Sequence, residues 1–128
     1  MSGDLGAEVV VHAADATLRK YRNVELILVG DEAELGRLVR DIVGDDSRLY
    51  VQHASAAVEM SEPPAEAVRR KKDSSMRVAI NLVHQGKADA VVSAGNTGAL
   101  MAIAKFVLKT LPGIDRPAII AEIPALGG

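Results

Sequence analysis

Two stretches of the sequence hold residues whose types and spacing suit chemistry on an anion. The first, SAGNTG at residues 93–98, sets two glycines around an Asn-Thr pair, after a β-branched run and before a long apolar stretch. Gly95 and Gly98 admit positive φ and close approach of a ligand to the backbone. Ser93, Asn96 and Thr97 add side-chain donors. At the carboxyl end of a strand and ahead of a helix, such a turn offers free N–H groups and the positive end of a helix dipole, which suits a phosphate or a developing oxyanion. Its spacing is neither the dinucleotide pattern G-x-G-x-x-G nor a P-loop, so the motif by itself names no ligand. The same residues also serve simply to end a strand and cap a helix.

The second stretch is the run Arg69, Arg70, Lys71 and Lys72, followed by Asp-Ser-Ser. Arginine brings a planar fork to a phosphate and lysine a point charge. A solvated basic turn ahead of a helix start reads equally well from the same letters. Because 15 basic residues face 17 acidic ones over the whole chain, the run is a local feature rather than part of a basic surface.

Other candidates carry less. His12, His53 and His84 have no metal-ligand spacing to one another. His12 and His84 fall within or at the end of helical patterns and read as structural. His53 closes a strand at the edge where sites form, so a ligand or proton-transfer role stays open for it. Asp89 opens a strand at the opposite edge and reads as structural. Arg116, before Pro117, suits a pairing with Asp115 or a contact to an anion.

The elements that must position these residues follow from periodicity. Val10, Ala13, Ala14, Thr17, Leu18 and Tyr21 predict one face of a first helix, with Ser2 or Asp4 as its cap. Strands are predicted at 24–30, 49–54, 88–94 and 118–124, the first being a nearly continuous apolar run typical of a parallel strand buried on both faces. Helices are predicted at 31–43, with Leu35, Leu38, Val39 and Ile42 on one face, at 74–86, with Met76, Ile80 and Val83, and at 97–110. A loop holds Pro63 and Pro64. The alternation predicts one α/β unit over residues 1–128: a parallel sheet with helices on both faces, a Rossmann-like three-layer arrangement.

Composition removes several classes of function. With a net charge of −2 and an aromatic fraction of 2%, neither a phosphate-tracking surface nor a stacking platform for nucleic acid is expected. The absence of cysteine excludes disulfides, thiolate catalysis and Cys-ligated metals, and fits a cytoplasmic setting. The longest apolar stretch, 98–108, is broken by Lys105 and falls short of the roughly 20 residues that span a bilayer. The acidic start lacks the marks of a secretory signal.

Taken together, VEMSEPPAEAVRRKKDSSM (58–76), KADAVVSAGNTGALM (87–101) and GIDRPAI (113–119) resemble the N-terminal part of the PlsX family of phosphate acyltransferases, the likeness running from about Val24 to Pro124. The resemblance implies an enzyme that moves a fatty acyl group from acyl-acyl-carrier-protein to inorganic phosphate, giving acyl phosphate for phospholipid synthesis, with no cofactor and no metal. It places phosphate near Ser93, Gly95, Asn96, Thr97 and Gly98, with Gly3 and Asp4 lining the same cleft, and gives Arg69, Arg70, Lys71 and Lys72 either phosphate or the acidic carrier protein. It names no catalytic residue. Homodimers and peripheral association with the cytoplasmic membrane are implied too.

Family members open with a strand leading into a turn to which MSGD at 1–4 is similar, so the chain is expected to be a fragment of a larger fold that lacks this strand and a second half. Two other readings stay open: a phosphotransacetylase-like enzyme acting on acyl-coenzyme A, and a truncated module that binds an anion without catalysis.

Overall fold

The computed structural model describes residues 6–121. Helix α1 (Gly6–Lys20) opens the described chain, followed by β1 (Leu26–Gly30), α2 (Glu32–Ile42), β2 (Leu49–His53), α3 (Pro64–Arg70), α4 (Ser75–His84) and α5 (Thr97–Leu108). Strands β1 and β2 pair in parallel, with Leu26 opposite Leu49 and Gly30 opposite His53. The α/β class and the parallel pairing are as expected from sequence.

Strand β1 hands directly to a helix start. Gly30 ends β1, and the next residue, Asp31, accepts the Glu34 N–H at 2.8 Å as the N-cap of α2. Acidic Glu32 and Glu34 follow in the first turn, where the helix dipole favours them. Leu35 and Leu38 of α2 bury against Leu28 of β1 and against Ala7, Val11 and Ala14 of α1. The exit of α1 is closed from a distance: Arg48 donates to the carbonyls of Leu18 and Tyr21 at 3.1 and 3.0 Å while pairing with Asp46. This hydrogen-bonded pairing holds the Asp46 carboxyl below its usual range.

A second cluster joins Val58, Ala67 of α3, Met76 and Ile80 of α4, and Ala99 and Ile103 of α5. Ser74, fully buried, accepts from the Arg77 N–H as the α4 cap and donates to the Lys71 carbonyl at 2.8 Å. Residue 56 bridges to residue 74 in parallel, continuing the β2 exit alongside the α4 entry.

Four expectations need correction. The inward face of α1 is Ala7, Val11, Ala14 and Leu18, whereas Val10, Ala13 and Tyr21 are exposed; the helix is rotated by about one residue so that small alanines meet α2. The Pro63-Pro64 loop begins α3, because proline at the first helical position has no N–H to lose. Residues 88–94 form no strand, nor do 118–121. Val92 and Ile120 are 97% and 95% exposed, since a β-type sequence becomes a strand only with a partner to pair with. Residues 122–124 and the proposed caps Ser2 and Asp4 lie outside the described residues.

Leu35 and Ile80 are each fully buried, one per cluster. Leu35→Ala and Ile80→Ala are each expected to lower stability by about 2–5 kcal/mol, read as shifts of the urea midpoint at unchanged slope.

Candidate functional site

The SAGNTG turn is the N-terminus of α5, and its asparagine is the cap. Asn96 Oδ1 accepts the Ala99 N–H at 2.9 Å. Its amide nitrogen, with two hydrogens to give, donates to the carbonyls of Glu59, Met60 and Glu62 at 3.2, 3.0 and 2.9 Å. The residue is 8% exposed. Its side chain, expected from sequence as a donor to the ligand, is therefore already spent on fastening the 59–62 loop to the head of α5.

The glycines also differ from expectation. Neither Gly95 nor Gly98 has a positive φ. What Gly98 supplies is room: a Cβ there would stand 3.0 Å from Pro64 Cγ, the first residue of α3. Ser93 Oγ accepts the Gly95 N–H at 3.2 Å, which shapes the turn from within. Thr97 and Gly98 are exposed, and among the described residues their backbone N–H groups carry no hydrogen bond. Those two amides are what the turn offers to an anion.

The basic run is divided in its employment. Lys71 Nζ lies 2.6 Å from Glu62 Oε2 and donates to the Ala57 carbonyl at 2.6 Å; Glu62 also accepts the Glu59 N–H. Lys71 is thus an internal tie to the same loop that Asn96 grips. Arg70 sits 3.9 Å from Glu66 one turn earlier on exposed α3 surface. Arg69 and Lys72 are exposed and have no ion pair among the described residues. The structure brings the turn and the run together, and does so through loop 57–62. Glu62, Pro64 and Ser74 carry that arrangement, and sequence reasoning missed them. Ser74 had a signal in its cap position, but nothing in local spacing points from Glu62 to Lys71.

At the carboxyl edge of the sheet, a depression of about 260 Å³ lies among Gly6, Ala7, Asp31, Glu34 and residues 54–57. Its charged rim is acidic, so it does not suit phosphate. Gly3 and Asp4 lie outside the described residues. His53 is exposed at this edge, and no group of three His, Cys, Asp or Glu side chains fit to hold a metal is present among the described residues. Arg116 has no ion pair among them either. None of the described helices is long and apolar enough to cross a membrane.

The hydrogen bond from Lys71 holds the Glu62 carboxyl below its ordinary value, against the opposing effect of burial. A lowered folded value stabilises above the unfolded glutamate value, about 4.3, and the gain is lost as pH falls through the folded value. Glu62→Gln is expected to be less stable than the parent at neutral pH, with the gap closing as pH falls below the ordinary glutamate value and through the lowered folded one, followed by urea midpoints. Asn96→Asp keeps the cap acceptor but sets a carboxylate against three carbonyls, so it is expected to cost more than the ~1 kcal/mol of a lost cap in the same measurement.

Comparison with known proteins places this turn in context. The family model described as "Fatty acid synthesis protein" matches residues 1–128. Among curated relatives, a phosphate acyltransferase of Methylococcus capsulatus is 62% identical over 131 aligned positions, covering 100% of this chain and 38% of the relative. Phosphate acyltransferases of Nitrosococcus oceani and Coxiella burnetii are 61% and 59% identical, over 100% and 97% of the chain and 38% and 37% of the relatives. The chain thus spans a little over a third of the length of the curated relatives it matches. With the turn, the loop it grips and the basic run all inside the matched span, the chain belongs to the family of fatty acid synthesis proteins, the PlsX family that its motifs resemble.

Proposed function

We propose that this chain is the phosphate-handling part of an acyltransferase that moves a fatty acyl group from acyl-acyl-carrier-protein to inorganic phosphate, feeding phospholipid synthesis in the cytoplasm. The observation that carries the reading is the head of α5, with two unengaged amides at Thr97 and Gly98 held in place by a buried Asn96, in a chain whose relatives are named phosphate acyltransferases.

The chemistry asks little of the protein beyond placement. A phosphate oxygen attacks the thioester carbonyl carbon; a C–O bond forms, the C–S bond breaks, and the sulfur leaves as thiolate and takes up a proton. Phosphate at neutral pH is already in part a dianion, so a covalent protein nucleophile is unnecessary, and cysteine is absent from the chain. What accelerates such a step is holding the anion in line and stabilising charge as it develops. In this reading phosphate sits on the Thr97 and Gly98 amides beside Ser93 and Gly95, with Gly3 and Asp4 nearby. Asn96 positions the amides rather than touching the anion. Among the described residues, none is assigned as general base.

The direct test is release of free carrier thiol from acyl-acyl-carrier-protein by the intact polypeptide carrying this sequence, with and without phosphate. Phosphate-dependent release is expected. Release without phosphate would overturn the reading, and equal or better turnover of the coenzyme A ester would favour a phosphotransacetylase-like enzyme instead.

A backbone variant tests the amides themselves. Proline at the first helical position removes only an N–H that the helix does not use, and Asn96, at φ −57 and ψ 107, already lies outside the helical region that a following proline disfavours. Thr97→Pro is expected to leave stability unchanged while raising the phosphate KM about tenfold or more, the loss of one hydrogen bond to a charged group. Thr97→Ala, which keeps the amide, should stay near the parent value.

A further inference from the structure

The outer face of α5 holds a feature that phosphate binding does not use. Ala102, Lys105 and Phe106 fall at i, i+3 and i+4, one stripe of the helix, and Lys109 follows just past its end as the C-cap, with φ 68. With Val68 of α3 and Thr110 they line an open depression of about 480 Å³. The Phe106 ring is 54% exposed. The Arg77 guanidinium of α4 stands over it at 5.0 Å and the Lys109 ammonium at 5.2 Å. Lys105 donates to the Asp115 carbonyl and Lys109 to the Phe106 carbonyl, which leaves each ammonium further N–H groups to give. Among the described residues, Arg77, Lys105 and Lys109 have no ion pair. Neither α4 nor α5 contains an aspartate or glutamate, although acids outnumber bases in the chain as a whole.

We propose that this cationic and aromatic depression is the docking surface for an acidic amphipathic helix of the protein that carries the acyl group, a proposal that rests on the acyl-transfer reading above. Lys105, in the last turn of α5, and Lys109, its C-cap, stand on the rim of this depression, so carboxylates one turn apart on a partner helix meet both. An apolar side chain between those carboxylates enters beside Phe106, Val68 and Ala102. Cation–π contacts keep the ring within the cationic rim, so the surface is apolar at its floor and positive at its edge. An open depression with an aromatic floor is the kind of surface that takes up the apolar face of an amphipathic helix. Charge complementarity of this kind sets encounter rate and salt dependence.

The test uses the intact polypeptide and the variant Lys105→Glu/Lys109→Glu. Both positions are exposed, and neither is part of the proposed phosphate site. Affinity for fluorescently labelled acyl carrier protein is read by anisotropy at low and high salt. Turnover of a small acyl-pantetheine thioester is read in parallel. The expected result is carrier affinity weakened by about tenfold or more, loss of the parent's salt dependence, and unchanged turnover of the small thioester. Lys105→Arg/Lys109→Arg should bind as the parent does. The proposal is overturned if carrier affinity is unchanged, if turnover of the small thioester falls in proportion, or if the variant loses binding to phosphatidylglycerol vesicles and keeps the carrier. A parent that binds the carrier at this surface yet shows no phosphate-dependent turnover would instead remove the acyl-transfer reading and leave the docking surface standing.

Discussion

One buried amide group sets the geometry of the candidate site. Asn96 ends the loop that enters α5, caps that helix with its oxygen, and hands its two hydrogens to three carbonyls of a loop more than thirty residues earlier in the chain. Buried polar groups are costly unless satisfied, and this one is satisfied at both ends of its side chain. The network therefore has one low-energy arrangement, in which the head of α5 and the 59–62 loop are held as a unit. Removing either half leaves carbonyls or a helix amide without partners, which is why a single side chain controls the position of groups on two elements.

Lys71 works on the same loop from the other side. Its bond to the Ala57 carbonyl and its pairing with Glu62 consume a cation that the sequence presents as one of four equals. A run of like charges is usually taken as a collective feature. Here its members separate by where the chain turns: Arg69 and Arg70 still belong to α3, whereas Lys71, at its C-cap, swings inward under the helix and meets the loop. The backbone leaves the helical path at this cap residue, and its side chain reaches back to the loop.

The sequence made some of this legible for clear reasons. Helices α2 and α4 carry both a 3.6-residue apolar period and a capping residue, at Asp31 and Ser74, and two local signals that agree are hard to misread. β1 and β2 were visible as short apolar runs. Residues 88–94 and 118–121 show the limit of such reading, because strand formation depends on a neighbour whose presence composition does not encode. The α5 cap could be seen in the letters Asn-Thr-Gly, but the long-range half of what Asn96 does, like the Glu62–Lys71 pairing, depends on tertiary contacts that no local period records.

Geometry also separates the two anion features that look alike in sequence. Pro64 touches the head of α5, since Gly98 offers it no Cβ, and Arg69 lies five residues further along α3. At 1.5 Å per residue the Arg69 backbone stands about 7.5 Å further along the axis of α3. In the proposed reading, an anion on the Thr97 and Gly98 amides is contacted by backbone N–H groups, and the exposed cations of the run serve its approach. Contact fixes orientation, and a positive field raises local concentration and guides approach. In the proposed reading, a seat of neutral amides holds phosphate without locking it into bidentate ion pairs, which leaves its oxygens free to attack.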